Sequence, residues 1–358
     1  ICPICRRIDT AASATCLTAS LMSAGAEPLG SSITRASPDV PDTSEWFGKT
    51  LKYTLHLGEI RTAGSGIRPR SVRAMPELPE VEHLRRHLER RILNRPISRV
   101  KLRRRDVLTT CPGIRMSLAR GLLDGGVETT LNRRGKQLAI EVSDGRVVCL
   151  HLGMSGRVRV VDPGTAYDPH THCVWTLQDG RKELEMRFID PRRFGGLWSF
   201  PTPESLLSGR WSNLGPDALS MGPDDLEQAL AGRSRGLKSA LLDQATVAGL
   251  GNIYVDEVLF RQGWHPRQPA NTLYRPEIEL LTTEIVGILC QAITQGGSTV
   301  RTWLDPEGQK GGFSLSHQVY GRGGELCVNC GQRLSQSQVN QRTTVWCGRC
   351  QRFKRRKS

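Results

Sequence analysis

Cys327-Val-Asn-Cys330 and Cys347-Gly-Arg-Cys350 enclose sixteen residues, and two such pairs restrict what this end of the chain can become. Paired CxxC knuckles at this separation supply four soft thiolates, the set that zinc takes as a tetrahedron. Four protein ligands leave no open position. The expected Zn2+ is therefore structural rather than catalytic, and it holds a hairpin too short to fold unaided. The chain has eleven cysteines in all, but at 358 residues it is too long to depend on a disulfide scaffold, and the metal spacing favours a reducing cytosol. Cys111, Cys149, Cys173 and Cys290 read as small apolar residues. No organic cofactor is expected.

The formal charge is +15. Residues 1–74 hold nine basic and six acidic groups, or +3, so +12 belongs to residues 75–358. That excess predicts a polyanionic partner, nucleic acid before membrane. No apolar run reaches the length of a transmembrane helix, and the expectation is a soluble protein. Residues 1–74 are rich in Ala, Ser, Thr, Gly and Pro with weak periodicity. Cys2 and Cys5 are half a metal site, and six acids argue against a transit peptide. This stretch reads as an extension outside the working protein.

From Met75 onward the pattern is regular. Val81, Leu84, Leu88 and Ile92 recur at helical spacing among arginines and glutamates, which predicts an amphipathic helix ended by Pro96. Short strands are expected at residues 100–107, 137–142, 147–152, 158–161, 173–177 and 183–188, with Asp144-Gly145 and Asp179-Gly180 as hairpin turns. A Gly/Pro/Ser/Asp-rich linker follows. Helices are then expected at residues 225–230, 236–243, 252–261 and 276–293. The fold class is α+β: a β-sandwich with a leading helix, a helical domain, and the β-hairpin zinc finger.

Met75-Pro76-Glu77-Leu78-Pro79-Glu80-Val81-Glu82 carries the chemistry. If the working chain starts at Met75 and loses that methionine, it begins with the secondary amine of Pro76. An α-amino group titrates near pH 8 against about 10.4 for lysine, so a useful fraction is nucleophilic at neutral pH. Glu77 stands beside it as a proton donor or acceptor. The same residues also suit a helix start, with Pro79 in the first turn and acids at the positive end of the dipole.

This opening, with Arg133-Arg-Gly-Lys136, His151-Leu-Gly-Met-Ser-Gly156, Asp190-Pro-Arg-Arg-Phe-Gly195, Gly249-Leu-Gly-Asn-Ile-Tyr254, Val319-Tyr-Gly-Arg322 and the cysteine module, resembles bacterial formamidopyrimidine-DNA glycosylase. The motifs run in order over residues 75 to about 352. The resemblance implies excision of oxidised purines, 8-oxoguanine and formamidopyrimidines, from duplex DNA. Abasic-site lyase activity would follow by β,δ-elimination through a Schiff base on Pro76. It makes Glu77 the proton donor, with Glu80 in support and Lys136 near the lesion and its flanking phosphate. Met154, Arg192 and Phe194 become the wedge that fills the gap left by a flipped nucleotide, Arg192 facing the orphaned cytosine. Asn252, joined by Lys238, would grip phosphate from a helix–two-turn–helix unit, as would Arg342 from the zinc finger.

The implied organisation is an extension at 1–74, a catalytic sandwich at 75–206, a linker at 207–224, a DNA-binding domain with its lesion loop at 225–316, a zinc finger at 317–352 and a basic tail at 353–358. Phe188 is expected in the core, and His170 and His172 read as either phosphate contacts or structural. The resemblance further implies a monomer in the bacterial cytoplasm, held at the nucleoid through DNA. Two alternatives stay open: an endonuclease VIII-like oxidised-pyrimidine glycosylase, disfavoured by Leu78 and the wedge residues, and a non-catalytic binder of damaged DNA. The second follows if residues 1–74 remain attached, because the Pro76 nitrogen is then an amide.

Overall fold

The computed structural model describes residues 75–110, 117–298 and 307–354. The extension, Cys111 and the end of the basic tail fall outside them.

Helix α1, Leu78–Ile92, begins where Pro79 needs no hydrogen-bonding N–H and where Glu80 accepts from the Glu77 N–H at 2.8 Å, closing the first turn. Its apolar stripe divides between two cores. Val81, Leu84, Leu88 and Ile92 pack into the β-sandwich, while Leu78 packs with Leu237, Leu241, Leu250 and Tyr254 of the helical region. The carboxylates of its first turn therefore lie on the seam between the two cores.

The sandwich has a four-stranded sheet and a five-stranded one. In the first, β1 (Ile97–Leu102), β7 (Thr171–Asp179), β8 (Lys182–Ile189) and β6 (Arg157–Val161) lie side by side, all antiparallel. The second runs β2 (Leu108–Thr110), β9 (Gly196–Phe200), β5 (Val147–His151), β4 (Gln137–Val142) and β3 (Glu128–Arg134), antiparallel except between β2 and β9. Trp175, Met186 and Phe188 of the first sheet meet Leu138, Ile140 and Leu150 of the second, all buried, as aligned sheets require.

Four strands differ from the sequence reading. Residues 100–107 are not one strand: β1 stops at Leu102, Arg105–Val107 is a 3-10 turn, and β2 follows it at Leu108–Thr110. Strand β3 is hidden by its polar Glu-Thr-Thr-Leu-Asn-Arg-Arg sequence, because only Glu128 and Leu131 are fully buried. Strand β9 opens on Gly196, a residue that weakens strand signals.

Beyond Phe200, short helix α3 (Pro203–Ser208) caps the outer face of the larger sheet; a one-turn helix, α2 (Leu118–Gly121), precedes β3. The helical region is built from α4 (Pro223–Leu230), α5 (Leu237–Leu242), α6 (Asn252–Arg261) and α7 (Arg275–Thr294) around a largely aliphatic core. Helix α6 also carries the cysteine module. Phe260 packs with Val319, Leu334 and Val345, and the Glu257 carboxylate accepts from the N–H groups of Gln318, Val319 and Tyr320. The hairpin itself is β10 (Ser335–Val339) and β11 (Arg342–Trp346), turned by Asn340 and Gln341 at φ 49° and 59°, the left-handed pair of a type I′ turn.

Candidate active site and nucleic-acid interface

The seam between the cores opens into a cleft of about 450 Å³ lined by Met75, Glu77, Lys136, Asn252, Tyr320 and Arg342, among others. Pro76 is buried between Met75 and Glu77. Glu77 is 2% exposed; its Oε1 accepts from the Ile253 N–H at 2.9 Å, while Oε2 has no partner among the described residues. Burial pushes the Glu77 carboxyl up to about 7, Lys136 opposing and Glu80 adding to the shift. Glu80 is held from three sides: Glu77 N–H on one oxygen, and Tyr254 Oη at 2.7 Å and Ser298 N–H at 2.6 Å on the other. Burial raises its pKa as well, with the Tyr254 hydroxyl pulling the other way.

Lys136 follows the β3–β4 turn. Asp217 fixes that turn by accepting from Gly135 N–H at 2.7 Å and from both terminal nitrogens of Arg133, whose Nε reaches Glu82. Burial lowers the Lys136 pKa, against the opposing pull of Glu77. The two side chains meet at Gly251, where an added Cβ would overlap both the Glu77 carboxyl carbon and Lys136 Nζ. A side chain there would displace both groups. A buried carboxyl titrating near neutrality can both give and take a proton at pH 7.

The proposed wedge residues are also brought together. Asp190, fully buried, accepts from Ser155 Oγ at 2.6 Å and from the backbone N–H of Arg192 and Gly195, so the 153–156 turn and the 190–195 loop are locked as one unit. Met154 is half-buried there. Phe194 is 54% exposed, and the Arg192 guanidinium lies 4.5 Å over its ring. Phe188 is core, at 0% exposure. His172 is structural: it is buried, with Nε2 2.7 Å from the Asp190 carbonyl.

Residues 75–197 match the family model for the formamidopyrimidine-DNA glycosylase N-terminal domain, and residues 214–303 match that of its H2TH domain. A Shewanella amazonensis protein named formamidopyrimidine-DNA glycosylase is 39% identical over 280 residues, covering 77% of this chain and 99% of the relative. One from Xanthomonas euvesicatoria is 41% identical over 281 residues, covering 78% and 100%. This chain belongs to the formamidopyrimidine-DNA glycosylase family. Among solved structures, a Lactococcus lactis Fpg variant in complex with Fapy-dG-containing DNA is similar at TM-score 0.69 and 32% identity, covering 77% of this chain and 99% of that one. Lactococcus lactis Fpg with abasic-site DNA gives 0.68 and 31%, with the same coverage.

Two residues that the glycosylase resemblance assigned to phosphate are engaged within the protein. Lys238 is 0% exposed, and its ammonium donates to Asp256 at 2.6 Å and to the Thr343 carbonyl at 3.2 Å. Buried where α5 faces α6, its ammonium is held by these two groups against the hairpin. Asn252 lines the cleft, but its Nδ2 donates to the same Thr343 carbonyl at 2.8 Å. Arg342, exposed beside the hairpin turn, does face the cleft. His151 went unassigned in the sequence; it too lines the cleft, its pKa lowered to about 4 by burial and by Arg210 and Lys136. Only its place at the head of the His151–Gly156 motif could have flagged it.

The thiols of Cys327, Cys330, Cys347 and Cys350 lie within 4.8 Å of one another, with Cys330–Cys347 at 3.5 Å and Cys327–Cys350 at 3.9 Å. A tetrahedron of sulfurs about 2.3 Å from zinc has edges of roughly 3.8 Å. The four residues fit a closed metal site of this kind. Among the described residues no helix is long and apolar enough to cross a membrane.

Proposed function

We propose that this chain is a base-excision repair enzyme that removes oxidised purines from duplex DNA and then cuts the abasic strand. The observation that carries the reading is the buried Glu77, next in sequence to Pro76 and raised to about 7, with Lys136 Nζ reaching the same point at Gly251. With its chain end at Pro76, the secondary amine attacks C1′ of the damaged nucleotide, and the base leaves with a proton supplied through Glu77. Opening of the C1′–O4′ bond, with a proton delivered to O4′, gives an iminium that acidifies C2′. Loss of a C2′ proton expels the 3′ phosphate, and loss of the C4′ proton from the conjugated iminium expels the 5′ phosphate, which cleaves the strand on both sides. Glu80, Tyr254 and Ser298 hold the first turn of α1 in place for this. Lys136 and Arg342 supply positive charge on the cleft wall, and Met154, Arg192 and Phe194 stand ready to occupy the vacated stack. Asn252 reaches a phosphate by releasing Thr343. The four-cysteine site takes one structural Zn2+ that keeps Arg342 on the cleft wall. The enzyme acts as a monomer in the bacterial cytoplasm.

In the sequence as given, Pro76 is joined to Met75 and its nitrogen is an amide without nucleophilic character. The family match begins at residue 75, which supports a working form that starts at Pro76. Borohydride trapping on a duplex with 8-oxoguanine opposite cytosine, read by intact mass, tests this. A covalent adduct whose protein part begins at Pro76 is expected. A Pro76-initiated chain that binds this duplex but yields no adduct would overturn the mechanism, and faster excision of thymine glycol would overturn the substrate class.

A further inference from the structure

Gln137 starts β4 directly after Lys136, pairs across the sheet with His151, and lines the same cleft. Its side-chain orientation is decided by a neighbour. Arg210 donates from Nε to Gln137 Oε1 at 2.7 Å, and the Cys149 thiol lies 3.3 Å from that oxygen. A guanidinium has only donors, so the end of the amide it binds must be the oxygen. The amide nitrogen, with two N–H donors, is then the free end of a side chain that lines the cleft, and no acceptor for it is found among the described residues. Arg210 is held in turn: its guanidinium stacks 3.3 Å from the centroid of Trp198, and no carboxylate among the described residues pairs with it. Its charge reaches the cleft wall, since it is one of the groups that depress His151.

We propose that Gln137 is a further DNA contact of this enzyme, its amide nitrogen donating to a phosphodiester oxygen beside Lys136 and His151, and that Arg210 is its positioning residue. The arrangement suits an anion for two reasons. A fixed pair of N–H donors stands next to a lysine, and the one amide oxygen that would repel a phosphate is turned away and bonded. Arg210 sits behind the amide as a positive charge on a Trp198 platform. The proposal rests on the reading of the cleft as a DNA site.

The test is equilibrium binding of the full chain to a duplex carrying a tetrahydrofuran abasic analogue opposite cytosine, by fluorescence anisotropy. Gln137→Leu and Arg210→Ala should each weaken binding about tenfold, the range of one buried hydrogen bond. The double variant should be no more than about twofold worse than the weaker single, because both changes remove one contact. Arg210→Lys, which keeps charge over Trp198 but lacks the Nε donor in place, should behave as Arg210→Ala and guards against loss of folding. Gln137→Leu binding within twofold of the parent, or single losses that multiply in the double variant, would overturn the proposal. Should the parent itself fail to prefer this duplex over an undamaged one, the DNA reading fails instead, whatever Gln137 does.

Discussion

Tyr254 donates its hydroxyl to Glu80 at 2.7 Å, and by that bond the helical region reads the charge on the first turn of α1. Both groups are buried on the seam, with Glu80 1% exposed and Tyr254 at 0%. Tyr254→Phe leaves that carboxylate oxygen with only the Ser298 N–H. The lost bond had lowered the Glu80 pKa, so Glu80 becomes more protonated. A neutral Glu80 no longer raises Glu77, whose pKa then falls below about 7. The variant should lose about 1–2 kcal/mol of stability, and the basic limb of its excision rate should move to lower pH. Single-turnover rates across pH 5–9 check this, and an unmoved limb would break the proposed link from Tyr254 through Glu80 to Glu77.

Lys238 and Asp256 form an ion pair in which both side chains are fully buried. Lys238→Met leaves the Asp256 charge unpaired and should cost about 3–5 kcal/mol in denaturant unfolding. Adding Asp256→Leu should recover much of it, since the Val345 N–H is then the main group left unsatisfied. A phosphate-binding lysine would behave otherwise: stability would hold, while the salt dependence of DNA binding would lose roughly one unit of slope.

How far the sequence reached follows from what kind of signal each part carries. The four cysteines announce themselves because metal ligation demands fixed spacing, and helix α7 because its apolar stripe at Ile278, Leu281, Ile285, Ile288 and Ala292 spans several turns. Strand β3 stayed hidden since only two of its residues are fully buried, and a period of two cannot be read from two points. Within the site, the motif around residues 76–80 was legible, yet the reason Glu77 titrates near neutrality was not. That reason is burial of its carboxyl against Gly251 and Ile253, 174 and 176 residues away in sequence, and only folding brings them together. Lys238 was opaque for the same cause: the glycosylase resemblance placed it at phosphate, and its partner Asp256 sits on a different helix.

Metal removal should act on DNA binding before it acts on chemistry. The four-cysteine site anchors a hairpin whose remaining apolar support is a handful of residues around Phe260. Arg342 lines the cleft from that hairpin. A chelator under reducing conditions should release about one zinc per chain, measured by a colorimetric dye. Affinity for an abasic-analogue duplex should fall about tenfold or more, through loss of a charged phosphate contact. Undiminished binding by the metal-free protein would remove the finger from the DNA interface.

Glu128 offers a stability test independent of the active site. It opens β3 at 0% exposure, and neither carboxylate oxygen has a hydrogen-bond partner among the described residues. Burial raises its pKa to about 8, opposed first by its own backbone N–H and then by the charge of Arg95. The folded state therefore holds this proton where the unfolded chain has already released it. Below pH 4.5 both states are protonated and Glu128 costs nothing through ionisation; as pH climbs from there through about 8, the stability associated with the bound proton is lost. Glu128→Gln keeps the shape without the titration. At pH 7 the variant should be more stable by about 2–3 kcal/mol, and at pH 4 the gain should vanish. Urea unfolding at the two pH values decides the matter, and an equal difference at both would mean that Glu128 is not the buried proton carrier its surroundings make it.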